Sequence, residues 1–258
     1  VAWDPGQYLK FGGERLRPAL DLLARVPLEA PARVVDLGCG TGSLTRILAE
    51  RFAQAAVTGL DGSPEMLATA AKAAGPGERI AWRQADIAGW TAQPPADLIY
   101  SNAALHWLAD HERLFPHLMA QLAPGGVLAV QMPRNHHAPS HTLIEKGIQR
   151  RPGLAGRLKA NPRPAPVAGP EFYFDLLRPL CASLDIWETE YLHVLKGDDP
   201  VVEWTRATAL KPVLEVLGPE EREAFIAEYK EGCRAAYPKR TDDSTLFAFR
   251  RIFMVAVR

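Results

Sequence analysis

Seven residues, Asp36-Leu37-Gly38-Cys39-Gly40-Thr41-Gly42, constrain this chain more than any other stretch. They follow Arg33-Val34-Val35-Asp36-Leu37, which reads as a short buried strand. They precede Ser43 to Phe52, where Leu44, Ile47 and Leu48 recur at helical spacing. Strand, glycine turn and helix in that order is the setting a nucleotide-binding turn requires. The order repeats through Ala56 to Asp61 and the helix Pro64 to Ala74, and again with Ile80 to Gln84 before Asp86. Such repetition within about 60 residues predicts an α/β fold, a doubly wound Rossmann-like sheet with mostly parallel strands.

The remaining chain supplies the rest of that sheet. Asp97 to Ser101 and Val127 to Met132 are expected to be strands four and five, with a helix over Arg113 to Leu122 and a turn at Pro124-Gly125-Gly126 between them. A helix from Arg17 to Val26, ended by Pro27, packs on a sheet edge. Ser183 to Leu195 reads as a long strand, Pro200 to Tyr237 as two helices broken at Gly218-Pro219, and Thr245 to Val257 as an antiparallel closing strand. Prolines at 162, 164 and 166 mark Asn161 to Pro170 as a loop, lid or linker. The expectation is a single domain over 1–258, with a small helical cap from about 1–16, 134–180 and 198–240.

Charge narrows the partners. Thirty basic residues balance thirty acidic ones, leaving no net field to hold nucleic acid or an anionic membrane. No apolar run approaches the ~18 residues of a membrane span. The first residues carry neither a positive n-region nor an apolar h-region, and three scattered cysteines suit a reducing compartment, so a cytoplasmic protein is expected.

The spacing of the turn separates two cofactor types. A dinucleotide fingerprint has its third glycine where this chain has Ser43, and it gives no reason for Asp36. A carboxylate two residues before the first glycine repels a pyrophosphate but attracts the ammonium group of a methionyl moiety, directly or through water. S-adenosylmethionine is therefore the expected cofactor. Gly38 and Gly40 keep the backbone bare so that the ligand can approach. Asp61, at the end of the second strand, is placed to accept from both ribose hydroxyls. Asp86, ending the third, is placed for the adenine amino group, with Ile87 and Met66 as apolar walls. Asn102, ending the fourth, lies near the methionine end.

With those residues in place, the chain resembles a class I methyltransferase, and more narrowly the trans-aconitate 2-methyltransferase family. The narrower likeness rests on Trp3-Asp4-Pro5, Tyr8-Leu9-Lys10-Phe11, Glu14-Arg15 and Arg17-Pro18-Ala19, and on Asn102-Ala103-Ala104-Leu105-His106-Trp107-Leu108. It continues through Leu114 to Leu118, Val127 to Pro133, Asp185-Ile186-Trp187 and Phe249 to Phe253. It implies methyl transfer to a carboxylate of trans-aconitate or a similar polycarboxylic acid, giving a monomethyl ester.

Carboxyl groups have reference pKa values near ~4, so an acceptor carboxylate is ionised at neutral pH and no residue is expected to act as general base. Alignment in a dry pocket does the work. The remaining substrate charges call for donors, and the candidates are Tyr8, Arg15, His106, Trp107, Tyr173, Trp204 and Arg250. His136, His137 and His141 have partial metal-ligand spacing, but Pro139 interrupts them and no third ligand is evident, so no metal is expected. Cys39, without a partnered base, reads as a small turn residue. Two alternatives stand beside this reading: an O- or C-methyltransferase using His106 as base, and a non-catalytic cofactor-binding module.

Overall fold

A computed structural model describes residues 12–75, 77–159 and 167–258, with side chains from Leu16 onward. Helix α1 (Gly12–Leu23) leads into β1 (Arg33–Leu37), α2 (Ser43–Arg51), β2 (Ala56–Asp61), α3 (Pro64–Lys72) and β3 (Ala81–Gln84). Then come β4 (Ala96–Asn102), α4 (His111–Ala120) and β5 (Leu122–Pro133). After these the chain forms α5 (Pro139–Gln149), α6 (Leu154–Leu158), α7 (Pro170–Leu177) and β6 (Ser183–Leu195). It ends in α8 (Pro200–Arg206), α9 (Lys211–Val216), α10 (Pro219–Ala236) and β7 (Thr245–Val257).

The sheet runs in the order β3-β2-β1-β4-β5-β7-β6. Strands β1 to β5 pair in parallel, and β7 returns antiparallel to β5 with Val127 opposite Val257 and Pro133 opposite Arg251. The winding direction reverses between β1 and β4. That reversal opens the crevice in which sheets of this kind bind ligands, at the carboxyl ends of the strands. The doubly wound, mostly parallel fold is therefore as the sequence predicts.

By internal contacts the chain divides into two compact units. One comprises Val1–Pro133, Val167–Glu188 and Arg251–Arg258; the other comprises Arg134–Pro166 and Thr189–Arg250. The first is built on the inner strands, where Val34, Leu98, Ile99, Leu128, Val130 and Met132 are all but inaccessible. Phe115 and Leu118 of α4 share an apolar cluster with Ile99, Leu128, Val130 and Met132. Burial of each such side chain is worth about 1.5–3 kcal/mol, which is why these strands read as continuous apolar runs. The second unit centres on Phe225 and Tyr229 of α10 with Ile144 of α5. The hydroxyl of Tyr229 donates to the Ser140 carbonyl at 2.8 Å, satisfying a buried polar group in that core.

Local chemistry explains the departures from expectation. The fourth helix begins two residues early, because Asp110 accepts from the Arg113 amide and caps it. Pro124-Gly125-Gly126 lies inside β5 as an irregularity in its pairing with β4 and does not precede the strand. Three helices, α5, α6 and α7, lie within 134–180, where a helical cap was expected but no individual helix was placed. Helices α5, α7, α8 and α10 all carry proline in their first turn, where the missing N–H has no helical partner to lose. Residues 200–236 form three helices and not two, with the expected break at Gly218-Pro219 and a second one between Arg206 and Lys211.

Candidate functional site

The glycine turn leaves β1 at the point of reversal and climbs into α2. Gly38, Gly40 and Gly42 all have positive φ, at 76°, 55° and 79°. Their bareness serves different ends. A Cβ on Gly38 would meet the Ala104 methyl at 2.2 Å, so this glycine is fixed by the close approach of the chain after β4. A Cβ on Gly42 would fall 2.4 Å from the Trp82 ring, whereas one on Gly40 would meet nothing within 4 Å among the described residues. The room beside Gly38 is thus taken by the protein itself, while that beside Gly40 is open among the described residues.

Two carboxylates brace this turn. Asp61, at the end of β2, accepts from the Gly40 amide through one oxygen and from the Ser63 amide through the other, both at 2.8 Å. Each oxygen keeps a lone pair, enough to accept from a vicinal diol. Asp36 is 1% exposed and accepts from the Thr45 hydroxyl at 2.6 Å. Burial, opposed by that bond and reinforced by the charge of Asp61, pushes its carboxyl up to about 7. Asp36 is thus a carboxyl near half ionisation at neutral pH and not the fully charged group that its type suggests. The same burial, with both carboxylates nearby, raises the Cys39 thiol far above its ordinary value and removes it as a nucleophile.

The remaining cofactor candidates stand along the same edge. Asp86 is exposed and accepts from the Ala88 amide at 3.0 Å, opening a short turn over Ile87–Gly89. Ile87 is buried beside Gly38, with its δ-methyl 3.8 Å from where a Cβ would stand on that glycine. Met66 is buried in the first turn of α3, its amide donating to Ser63. Asn102 closes β4 with its side-chain carbonyl oxygen buried and without a hydrogen-bond partner among the described residues. The next residue, Ala103, holds φ of 53°, a strained setting for a side-chain-bearing residue that turns the chain sharply at the ligand edge. Open space at Gly40, spare acceptors on Asp61 and an orphaned amide oxygen on Asn102 together fit a bound polar nucleoside with a cationic tail.

The substrate candidates divide. His106 and Trp107 lie on a short turn, Leu105–Trp107, directly after the strained Ala103, with their ring centroids 5.1 Å apart. Tyr173 stands beneath this turn in the core of the first unit, fully buried. Its hydroxyl lies 2.8 Å from His111 Nδ1, and His111 Nε2 lies 3.1 Å from the Leu105 carbonyl. Burial lowers the His111 pKa, keeping the ring neutral and able to accept from Tyr173 while donating to Leu105. Tyr173 thus packs behind the turn, its hydroxyl engaged by His111. Trp204 and Arg250 belong to the second unit. Trp204 is 3% exposed in a cluster with His193, Phe247 and Phe249, and Arg250 pairs with Glu190 at 3.6 Å. Packing accounts for Trp204 and a surface ion pair for Arg250. Tyr8 lies outside the described residues, and of Arg15 only the backbone, in α1, is described.

Several residues around the site escape sequence reasoning. Trp82 lies over Gly42 and Gly59, and donates to Glu78 at 3.2 Å. Arg46 binds Glu78 at 2.7 Å and stacks 5.3 Å from the Trp82 ring. Thr45 carries the bond to Asp36, and the only signal for it is a hydroxyl among the apolar positions of α2. Pro139, used as the argument against a histidine metal site, in fact opens a helix, with the His136 and His137 rings before it tilted at 56° and their centroids 4.1 Å apart. Among the described residues no group of three or more His, Cys, Asp or Glu side chains is placed to hold a metal ion.

Comparison with known proteins gives this edge a family. Residues 34–126 match the model of a methyltransferase domain. The trans-aconitate 2-methyltransferase of Azoarcus sp. (strain BH72) is 49% identical over 257 residues, covering 99% of both chains. That of Streptomyces avermitilis is 48% identical, covering 99% of this chain and 96% of its own. Among solved structures, the YcgJ protein of Bacillus subtilis superposes with a TM-score of 0.59 at 14% identity, over 94% of this chain and 98% of its own. Phosphoethanolamine N-methyltransferase 2 of Haemonchus contortus, in complex with phosphomonomethylethanolamine and S-adenosylhomocysteine, gives 0.60 at 17%, over 97% of this chain and 56% of its own. Identities so low speak for the fold alone. The near-half identity of the first two extends over nearly the whole of each chain, and on that ground the chain belongs to the trans-aconitate 2-methyltransferase family.

Proposed function

We propose that this protein transfers the methyl group of S-adenosylmethionine to a carboxylate of trans-aconitate, giving the monomethyl ester and S-adenosylhomocysteine. The full-length likeness to enzymes of that name carries the reading. When bound, the cofactor supplies an electrophilic methyl group on a positively charged sulfur.

The chain's own residues bind, orient and exclude water. Asp61 accepts from the ribose hydroxyls while its bond to the Gly40 amide holds the turn in shape. Asp36, through its buried carboxyl, draws the methionyl ammonium, and the bare backbone at Gly40 lets the ligand lie close. Asp86 accepts from the adenine amino group, with Ile87 and Met66 lining the ring. Asn102 receives a donor at the methionine end. His106 and Trp107, presented by the turn after β4, contact the acid, and Tyr8 and Arg15 are further candidates for its charges. No residue need remove a proton, because the acceptor is already a carboxylate. Aligning an anion with a cationic methyl donor in a dry pocket suffices, since the two charges partly cancel as they react. A small acid in the cytoplasm is the partner this reading requires. Equal numbers of acidic and basic residues give no general pull on nucleic acid or membrane. Among the described helices none is long and apolar enough to cross a membrane.

The test is product formation. Purified protein with methyl-labelled cofactor and trans-aconitate is expected to yield labelled monomethyl ester. Turnover of other acids or amines without any ester from trans-aconitate would discard the substrate and keep the cofactor. A rate falling steeply below about pH 6.5 would instead point to a histidine base, and with it to a neutral hydroxylated acceptor.

A further inference from the structure

We propose that Arg46 is a positioning residue for the cofactor: from behind, it ties the glycine turn to α3 at the spacing at which Asp61, from the ligand side, meets the nucleoside. This rests on the Asp61 role proposed above and adds to it a residue that touches no ligand.

Asp61 bridges two elements. One oxygen accepts from the Gly40 amide in the turn, and the other from the amide of Ser63, which caps α3. Arg46, on α2, bridges the same two elements at other points. Its Nη2 donates to the Ala70 carbonyl in the last turn of α3 at 2.6 Å, and its Nη1 reaches the Thr41 carbonyl in the glycine turn at 3.4 Å. Carbonyls in the last turn of a helix lack intrahelical partners. Here the amides of Ala73 and Ala74 turn to Thr69 and Ala71, which leaves the Ala70 oxygen to the guanidinium. Met66 sits on α3 between its two fastenings, Ser63 and Ala70.

The guanidinium is itself held. Its Nε donates to Glu78 at 2.7 Å, and Glu78 also accepts from the Trp82 indole N–H at 3.2 Å. Trp82 can lie flat because Gly59, its register partner on β2, has no side chain: a Cβ there would stand 2.5 Å from the ring. The Arg46 and Glu78 side chains are 23% and 12% exposed, so solvent screens this pair less than it would one on the surface.

Packing against Trp82 would not by itself select an arginine. Acceptors in three directions, Glu78, Ala70 and Thr41, together with an aromatic face, match a planar fork of donors and not the single ammonium of a lysine. Two of the three acceptors belong to the elements that Asp61 also joins. If the turn and α3 drift apart by about 1 Å, Asp61 can keep one of its amides but not both, because a hydrogen bond stretched that far is lost. Its oxygens then no longer stand where a vicinal diol can use them.

Arg46→Lys keeps the charge and loses the fork; Glu78→Gln keeps an acceptor for the indole and loses the charge. The readouts are the calorimetric Kd for S-adenosylhomocysteine, KM for the acid at saturating cofactor, and amide exchange of the free protein. Arg46→Lys is expected to raise Kd by about tenfold or more, as loss of a charge-assisted bond does, and Glu78→Gln to raise it by less. KM for the acid should stay the same in both. In the free protein, exchange should quicken at the Gly40 and Ser63 amides alike. Because both clasps act through one spacing, Arg46→Lys combined with Asp61→Ala should weaken binding by less than the product of the two single losses. Leu118→Val, in the apolar cluster with α4, lowers stability as a control and should leave Kd alone. Any of three results would overturn the assignment: an unchanged Kd in Arg46→Lys, single losses that multiply in the double variant, or faster exchange confined to α2. So would an equal rise in Kd in Leu118→Val, since the effect would then be one of stability. If Arg46→Lys does not fold, Glu78→Gln decides by the same readouts. An unchanged Kd in Asp61→Ala brings down the ribose role, and this assignment with it. A raised Kd there with none in Arg46→Lys brings down this assignment alone.

Discussion

Asp36 shows how far a residue's surroundings can move it from its type. Its carboxyl titrates near 7 when folded and near 3.8 when unfolded. Between those values the folded chain holds a proton that the unfolded chain has lost. Stability is therefore greatest at the acid end and falls as pH rises through that window, by up to about 1.4 kcal/mol per unit, and levels off above it. Asp36→Asn should abolish this slope. Denaturant titrations at pH 5 and 7.5 are expected to show the variant gaining on wild type at the higher pH, and an equal gap at both would contradict the buried titration. A cationic ligand tail favours the ionised form, so calorimetry near pH 7 in buffers of different ionisation enthalpy should register proton release on cofactor binding by wild type and none by Asp36→Asn. Asp61 supports the same turn from the other side. Asp61→Ala is expected to weaken cofactor binding by about 1.5–3 kcal/mol, the range for charge-assisted hydrogen bonds; an unchanged Kd would remove it from the ribose role.

At the scale of the element, the glycine turn is held from behind by Trp82 on β3 and by the Arg46–Glu78 pair. Gly42→Ala should cost about 1–3 kcal/mol from crowding of the Trp82 ring, with a further 1–2 kcal/mol or so from φ of 79°. In a Trp82→Ala background only the backbone part should remain. Equal losses in both backgrounds would show the ring to be irrelevant. The turn, the strands and their order were legible in the sequence because burial on both faces writes apolar runs, and because Gly38, Gly40 and Gly42 leave a spacing that few structures need. Helices α5 and α7 were not, because Pro139 and Pro170 read as breaks when they are first-turn residues. The carboxyl ends of strands were equally legible, which is how Asp61 and Asn102 came to be named. The buried bond between Gln131 and Arg251 was not legible, because their meeting depends on an antiparallel register across 120 residues, which periodicity along a single strand does not encode. The burial of Tyr173 and Trp204 was illegible for the converse reason: an aromatic carrying a polar handle looks the same in sequence whether it lines a cleft or packs in the core.

For the whole molecule, the position of β7 matters most. It lies between β5 and β6, and β6 is an edge strand. A chain stopped after Ser244 would keep five parallel strands but strip both β5 and β6 of a partner. It is expected to lose cooperative unfolding and to aggregate, since an unpaired strand is a template for pairing with other chains. A soluble truncated chain with a single sharp transition would contradict this. The order of the strands also bears on how the molecule is made. A ribosome delivers β6 well before the segment that must slide in beside it, and Leu192 and Val194, both 58% exposed even in the finished protein, are already present on that waiting strand. Nascent chains therefore pass through an interval, dozens of codons long, in which a finished half-sheet stands open, and the speed of translation from α8 to β7 sets how long chaperones must guard it.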